Sequence, residues 1–174
     1  MKLKIIFLDR DGVINKDTGY LHRIQDFEFI DGVLQTCQYI NSKGYKIIIV
    51  TNQSGIGRGL YSEEDFSTLN KWMISEFENF GVKILNVYHC PHTPEDNCMC
   101  RKPKSGMLNL AFDQFDIDKK NSWMIGDKED DIIAASGAGL ENTVLVRSGQ
   151  KINETLTKAK YIVDSIKDIT EIIS

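Results

Sequence analysis

The chain has 174 residues, enough for one domain with a sizeable core. With 41% hydrophobic and 26% charged residues and no apolar run long enough for a membrane span or a signal peptide, it reads as an ordinary cytoplasmic globular protein. A net charge of −4 argues against a nucleic-acid polymer as partner, whereas a small phosphorylated ligand needs only a local cluster of cations.

Residues 4–8, Lys-Ile-Ile-Phe-Leu, form an apolar run too short for a helix and suited to a buried parallel strand. The strand delivers Asp9 to the carboxyl edge of an α/β sheet, where ligands bind, and Asp11 and Gly12 follow at once. Asp-x-Asp is common in surface turns, but two carboxylates so close also suit a divalent cation. Residues 13–29 show no period and make a long connection beside the candidate site, expected to be a substrate loop. Helical spacing returns at Val33, Leu34, Cys37 and Ile40 and ends at Gly44, with Cys37 reading as a buried small hydrophobe.

A second strand, residues 45–50, runs into Thr51-Asn52-Gln53-Ser54-Gly55-Ile56-Gly57-Arg58-Gly59. This stretch is either a glycine-rich turn or an anion-binding loop offering backbone N–H groups, Thr51 and Arg58. Ser62 then caps a long helix with Phe66, Leu69, Met73 and Phe77 on its apolar face and Gly81 at its end. The third strand, residues 84–89, leads to a polar loop carrying Cys90, His92, Cys98 and Cys100. In an extended segment, residues two apart project to the same side, so these two pairs of soft ligands are expected to close around one structural Zn²⁺. His89 has the wrong parity to join them. Three of the chain's four cysteines fall in this loop, which in a reducing compartment suggests metal before disulfides.

Arg101, Lys102 and Lys104 follow the loop and are expected to grip phosphate, although alone they would read as a solvated basic run. A helix after Ser105 faces the core with Met107, Leu108, Ala111 and Phe115. The fourth strand, residues 122–125, delivers Asp127, with Lys128 beside it and Asp131 four residues on. A helix over 132–138, a fifth strand over 143–146, a possible edge strand at 161–163 and an amphipathic helix over 165–173 complete the reading. Strand and helix alternate, which predicts a single domain with a parallel sheet between helices.

The ordered set Asp-x-Asp, Thr, Lys and Gly-Asp-x-x-x-Asp resembles the haloacid dehalogenase superfamily of phosphotransferases. Within it, residues 8–15, 51–59, the Cys-x-His and Cys-x-Cys pairs, and Cys100-Arg101-Lys102-Pro103 resemble the D-glycero-D-manno-heptose 1,7-bisphosphate 7-phosphatases. Histidinol-phosphate phosphatases share the zinc loop and the Arg-Lys-Pro run, so the stretch from Ser54 to Gly59 carries the preference. The short interval between His92 and Cys98 departs from the pattern without altering the ligand count.

The resemblance implies a three-layer Rossmann-like fold and a Mg²⁺-dependent phosphatase feeding heptose biosynthesis, while the intervals after Asp11 and Thr51 are filled by the elements already read, which leaves no room for a large cap domain, and the lack of an exposed helical seam favours a monomer. It implies that Asp9 is the nucleophile, that Asp11 is the general acid and base, and that Thr51 and Lys102 hold the phosphoryl group. Mg²⁺ would bind Asp9, the Asp11 backbone carbonyl and Asp127, with Asp131 in support. The substrate contacts would be Asp17, Thr18, Gly19, Tyr20, Asn52, Gln53, Ser54, Arg58, Arg101 and Lys128, with Arg58 or Arg101 meeting a distal phosphate. A catalytically silent zinc-loop binding module is the reading from a different class.

Overall fold

A computed structural model describes residues 1–173. Its centre is a parallel six-stranded sheet in the order β3-β2-β1-β4-β5-β6, with β1 at Ile5–Leu8, β2 at Lys46–Asn52, β3 at Ile84–Cys90, β4 at Trp123–Gly126, β5 at Asn142–Val146 and β6 at Tyr161–Val163. All four residues of β1 are fully buried, as expected of a central strand covered on both faces.

Alternation along the strands divides the core in two. Ile6, Leu8, Ile47 and Ile49 point to one face, where they meet Val33, Cys37 and Ile40 of α1 (Val33–Ser42). A four-residue turn, α2 (Ser54–Gly57), precedes α3 (Glu63–Asn79), which adds Met73 and Phe77 to the same face. Ile5, Phe7, Ile48 and Val50 point to the other face, against Met107, Leu108 and Ala111 of α4 (Gly106–Gln114) and Ala134 and Ala135 of α5 (Glu129–Gly137). The result is a helix–sheet–helix sandwich. Residues 9–32 and 53–62 hold only a 3-10 turn, α2 and loops, so among the described residues no cap domain covers the strand ends.

The sheet grows from β1 in both directions: β2 and β3 on one side, β4 to β6 on the other. The chain reverses its winding between β1 and β4, and their carboxyl ends therefore border a crevice. Asp9 leaves the first of these ends and Asp127 the second, and the Asp9 N–H donates to the Ile125 carbonyl at 3.0 Å.

Boundaries differ from the sequence reading in informative places. β2 continues through Thr51 and Asn52 because both stay paired with β3, opposite His89 and Cys90. α5 starts at Glu129, three residues early, with Lys128 as its cap and an acidic first turn. The final segment is a 3-10 helix over Ile166–Glu171 rather than an α-helix. Residues i and i+3 eclipse in that geometry, which is how Ile166 and Ile169 both reach the core. His89 stays out of the Cys/His group, stacked on Phe66 and bonded to Glu63.

Ser122 joins the two strands of the crevice from below. Its hydroxyl is fully buried, accepts the Ile5 N–H at 2.9 Å and donates to the Asp118 carbonyl at 2.7 Å. Ser122→Ala should lower the unfolding free energy by about 1–3 kcal/mol in a urea titration, because it leaves the Ile5 N–H buried without a partner. A change below about 0.5 kcal/mol would show that this bond adds nothing to the fold.

Candidate active site

Asp9, Asp127 and Asp131 place carboxylate oxygens within 4.8 Å of one another at the crevice between β1 and β4. Three buried acids in such a space need a cation, and the protein supplies one from 93 residues away. Lys102 Nζ donates to Asp9 Oδ1 at 2.8 Å, to Asp131 Oδ1 at 2.6 Å and to the Val50 carbonyl at 2.8 Å. All three ammonium protons are used, and the side chain is 4% exposed. Burial works to lower the Lys102 pKa, but the charges of Asp131 and Asp9 outweigh it and push it up. Burial raises Asp9 to about 6 against the pull of Lys102, with Asp131 and Asp11 adding to the rise. Asp127 is raised to about 7, by burial and then by the charge of Asp9.

The position of Lys102 is set by Asn52. The Asn52 side chain accepts the Lys102 N–H and donates to the Lys102 carbonyl, both at 3.1 Å, a two-point clamp between the end of β2 and the loop. Asn52, expected to touch substrate, thus spends its amide on the backbone of a neighbour. Asp131 is similarly committed. Its Oδ1 faces Lys102, while Oδ2 accepts the N–H groups of Asp127 and Lys128 at 3.2 and 3.1 Å.

Asp127 differs from its neighbours. Oδ2 accepts the Gln150 N–H at 2.9 Å, but Oδ1 is buried and has no partner. A buried carboxylate oxygen with an open lone pair, next to a second carboxylate, fits a hard divalent cation. The backbone leaves little slack here: a Cβ at Gly149 would lie 2.1 Å from Asp127 Oδ2, and one at Gly12 would lie 2.4 Å from it.

Above this floor lies Asp11. Its Oδ1 accepts from Arg10 Nη2 at 2.9 Å and from Asn15 Nδ2 at 2.9 Å, and its Oδ2 from Arg10 Nη2 and Gln53 Nε2, each at 3.1 Å. Thr51 is buried, and its Oγ1 accepts a second bond from Gln53 at 2.9 Å.

An open cleft of about 390 Å³ leads to this group. Among the expected contacts, Asp11, Asp17, Gly19, Tyr20, Asn52, Gln53, Ser54, Arg58, Arg101 and Lys128 line it. Thr18 does not; it is exposed in the same loop. Five residues close to the site were not foreseen: Arg10, Asn15, Tyr61, Asp130 and Gln150. Arg10 lies between the two acids in sequence and Asn15 four residues after the second, and a charge so soon after a buried strand was a usable signal. Nothing local marked Tyr61 or Gln150. Gln150 reaches the site because the loop after β5 folds back, with Ser148 Oγ donating to the Gly12 carbonyl at 2.8 Å and Gln150 Nε2 to Asp17 at 2.6 Å.

The Cys/His loop leads directly into Arg101, which lines the cleft. Cys90, His92, Cys98 and Cys100 converge, with Cys90–Cys98 at 3.6 Å, Cys90–Cys100 at 3.1 Å, Cys98–Cys100 at 3.5 Å, and His92 Nδ1 3.2 Å from Cys100 and 3.5 Å from Cys90. A tetrahedron with metal–sulfur bonds of about 2.3 Å has edges of roughly 3.8 Å, close to this spacing. Burial works to raise the Cys98 pKa, but the Arg101 N–H and the neighbouring thiols outweigh it and lower it to about 6.

Residues 99–169 match the family model described as HAD-hydrolase-like. The chain is 45% identical to the D-glycero-beta-D-manno-heptose-1,7-bisphosphate 7-phosphatase of Pasteurella multocida, over 98% of this chain and 96% of that one. It is 46% identical to the D-glycero-alpha-D-manno-heptose-1,7-bisphosphate 7-phosphatase of Campylobacter jejuni, over 93% of each. The chain belongs to the heptose 1,7-bisphosphate 7-phosphatase family. Its fold agrees: the crystal structure of D,D-heptose 1,7-bisphosphate phosphatase from B. bronchiseptica, complexed with magnesium and phosphate, superposes with a TM-score of 0.87 at 27% identity, covering 98% of this chain and 97% of that one.

In this heptose phosphatase family member, Lys102 is the test of that floor. Lys102→Met should destabilise the protein by about 3–5 kcal/mol in denaturant unfolding, since it leaves two buried carboxylates without their counter-charge. It should also reduce phosphatase turnover by about 10²-fold. Retention of both stability and turnover would show that the ammonium is dispensable.

Proposed function

We propose that the protein is a phosphoric monoester hydrolase that removes the C7 phosphate of D-glycero-D-manno-heptose 1,7-bisphosphate, leaving heptose 1-phosphate. The observation that carries this reading is the placement of Asp9 between Lys102 and the open carboxylate of Asp127, beneath the separately held Asp11.

Asp9 presents the nucleophilic oxygen. Its carboxylate attacks phosphorus, the P–O bond to the sugar breaks, and the departing alkoxide takes a proton from Asp11. In the second step Asp11 accepts a proton from water as the water oxygen attacks the aspartyl phosphate. The P–O bond to Asp9 then breaks, which restores the carboxylate and releases inorganic phosphate. Lys102 keeps one oxygen of Asp9 fixed through both displacements and sets positive charge beside the phosphoryl group. Lys128, exposed at the start of α5, faces the same hollow. Thr51 supports the group through Gln53.

Asp9, the Asp11 backbone carbonyl and Asp127 would hold Mg²⁺, and the bound ion would shield the nucleophile from the charge of the phosphate and polarise its oxygens. The orphaned Asp127 Oδ1 is the feature that fits such an ion. Cys90, His92, Cys98 and Cys100 would hold Zn²⁺ as a closed structural site. The loop has few apolar residues to pack, so metal would stiffen the segment that carries Arg101 and Lys102.

An uncapped cleft with Arg58 and Arg101 on its walls suits a substrate charged at both ends. The relatives include enzymes for each anomer, the two from Photorhabdus laumondii being 43% and 44% identical to this chain. Turnover should therefore be measured on both anomers and on histidinol phosphate, with Mg²⁺. A heptose bisphosphate should be preferred, and a preference for histidinol phosphate would contradict the assignment. Arg58→Ala and Arg101→Ala should each be assayed on the bisphosphate and on a heptose monophosphate; at least one should lose about tenfold more kcat/KM on the bisphosphate, and equal losses in both would remove the distal-phosphate role.

Zinc is tested separately by elemental analysis. One zinc per chain is expected in the purified protein and none in Cys98→Ser, together with a lower Tm. A metal-free wild type of unchanged Tm would contradict the site.

A further inference from the structure

Gln53 was expected to contact substrate, but its side chain is already fully engaged. It is 3% exposed, and an amide has one acceptor oxygen and one NH₂ group. Nε2 donates to Asp11 Oδ2 at 3.1 Å and to Thr51 Oγ1 at 2.9 Å, and Oε1 accepts the Tyr61 hydroxyl at 2.5 Å. Reversing the amide would turn Oε1 toward the Asp11 carboxylate and forfeit the donation from the phenol. Tyr61 and Asp11 therefore select the same orientation from opposite ends.

The fold makes room for Tyr61 to do this. Its ring is 6% exposed and stacks on His22 with centroids 4.9 Å apart and planes 8° from parallel. A Cβ at Gly55 would lie 2.1 Å from the ring carbon Cε1, so the glycine is what lets the phenol reach Gln53. On the opposite side Asp11 is held by Arg10 and Asn15, and Arg10 also donates to the Leu21 carbonyl at 3.0 Å. Among the described residues, Gln53 supplies the Asp11 carboxylate with its one hydrogen bond from beyond the 10–15 segment. It is thus the contact that fixes Asp11 relative to β2 and the bound phosphoryl group.

We propose that Tyr61 is a positioning residue which, through the Gln53 amide, holds the Asp11 carboxyl group in reach of the leaving oxygen. The proposal rests on the phosphatase reading above, in which Asp11 gives a proton to the ester oxygen as the P–O bond breaks. The need for that proton depends on the leaving group: a phenolate of low basicity departs without it, and a more basic one does not. Misplacing the acid must therefore cost most on the poorest leaving group.

The test is kcat/KM for phenyl, nitrophenyl and dinitrophenyl phosphate with Mg²⁺, in the wild type, Tyr61→Phe and Gln53→Leu. The three esters share the phenyl phosphate framework, and comparing each variant with the wild type on the same ester sets aside differences in fit among the esters. Each variant should lose about tenfold on phenyl phosphate and about twofold or less on dinitrophenyl phosphate, a steeper leaving-group dependence than the wild type. A loss of site structure alone would lower all three by the same factor, and parallel losses, or none, in both variants would overturn the proposal. Hydrolysis of no ester by the wild type would overturn the phosphatase reading and this role with it.

Discussion

The ammonium group of Lys102 is the point on which the site depends. Isolated carboxylates at the burial of Asp9 and Asp131 would take up protons rather than stay charged, and a neutral Asp9 is no nucleophile. Lys102 offsets that penalty with three short hydrogen bonds at a buried position. It belongs neither to β1 nor to α5, so its arrival must be engineered across the fold: the Asn52 clamp holds its backbone, and the Cys/His loop holds the segment before it. Other parts of the loop are tied to β2 and α2 as well, since the Gln53 N–H donates to the Cys90 carbonyl at 2.8 Å and the Gly57 N–H to the Pro91 carbonyl at 2.9 Å. A loop distant from the three acids in sequence is in this way part of the carboxylate floor.

Sheet topology explains why the acids meet. The change of winding direction between β1 and β4 leaves adjacent carboxyl ends with no helix crossing over them. Each end contributes an aspartate, and the start of α5 adds Asp131, which accepts N–H groups at the helix terminus. Glycine then permits close approach. Gly12 and Gly149 flank Asp127 so tightly that neither could carry a side chain without displacing it. The carboxylates are therefore fixed by backbone geometry, with little left to side-chain adjustment.

Much of this was legible in the sequence because it depends on local pattern. Short apolar runs ending in Asp9, Thr51 and Asp127 marked the strands and their functional ends, and the pairs Cys90/His92 and Cys98/Cys100 showed their convergence by parity. What could not be read was how polar side chains divide their hydrogen bonds. Asn52 and Gln53 sit in a motif that suggested substrate contact and both line the cleft, yet the Asn52 amide also clamps the Lys102 backbone and the Gln53 amide is shared between Asp11, Thr51 and Tyr61. The contribution of Gln150 depends on a loop 133 residues from its partner Asp17, and no local signal predicts a contact of that range. The closing 3-10 helix was missed for a different reason: its apolar spacing of three fits either helix type, and packing decides between them.

The account makes phosphoryl transfer a double displacement in which Asp9 carries the phosphate between sugar and water. Each in-line displacement inverts the configuration at phosphorus, so two of them restore it. The most direct measurement is the stereochemical course of hydrolysis of a substrate whose transferred phosphoryl group is chiral through oxygen isotopes and sulfur. Retention of configuration is the predicted result. Inversion would mean that water attacks the substrate directly, and would contradict the role assigned to Asp9.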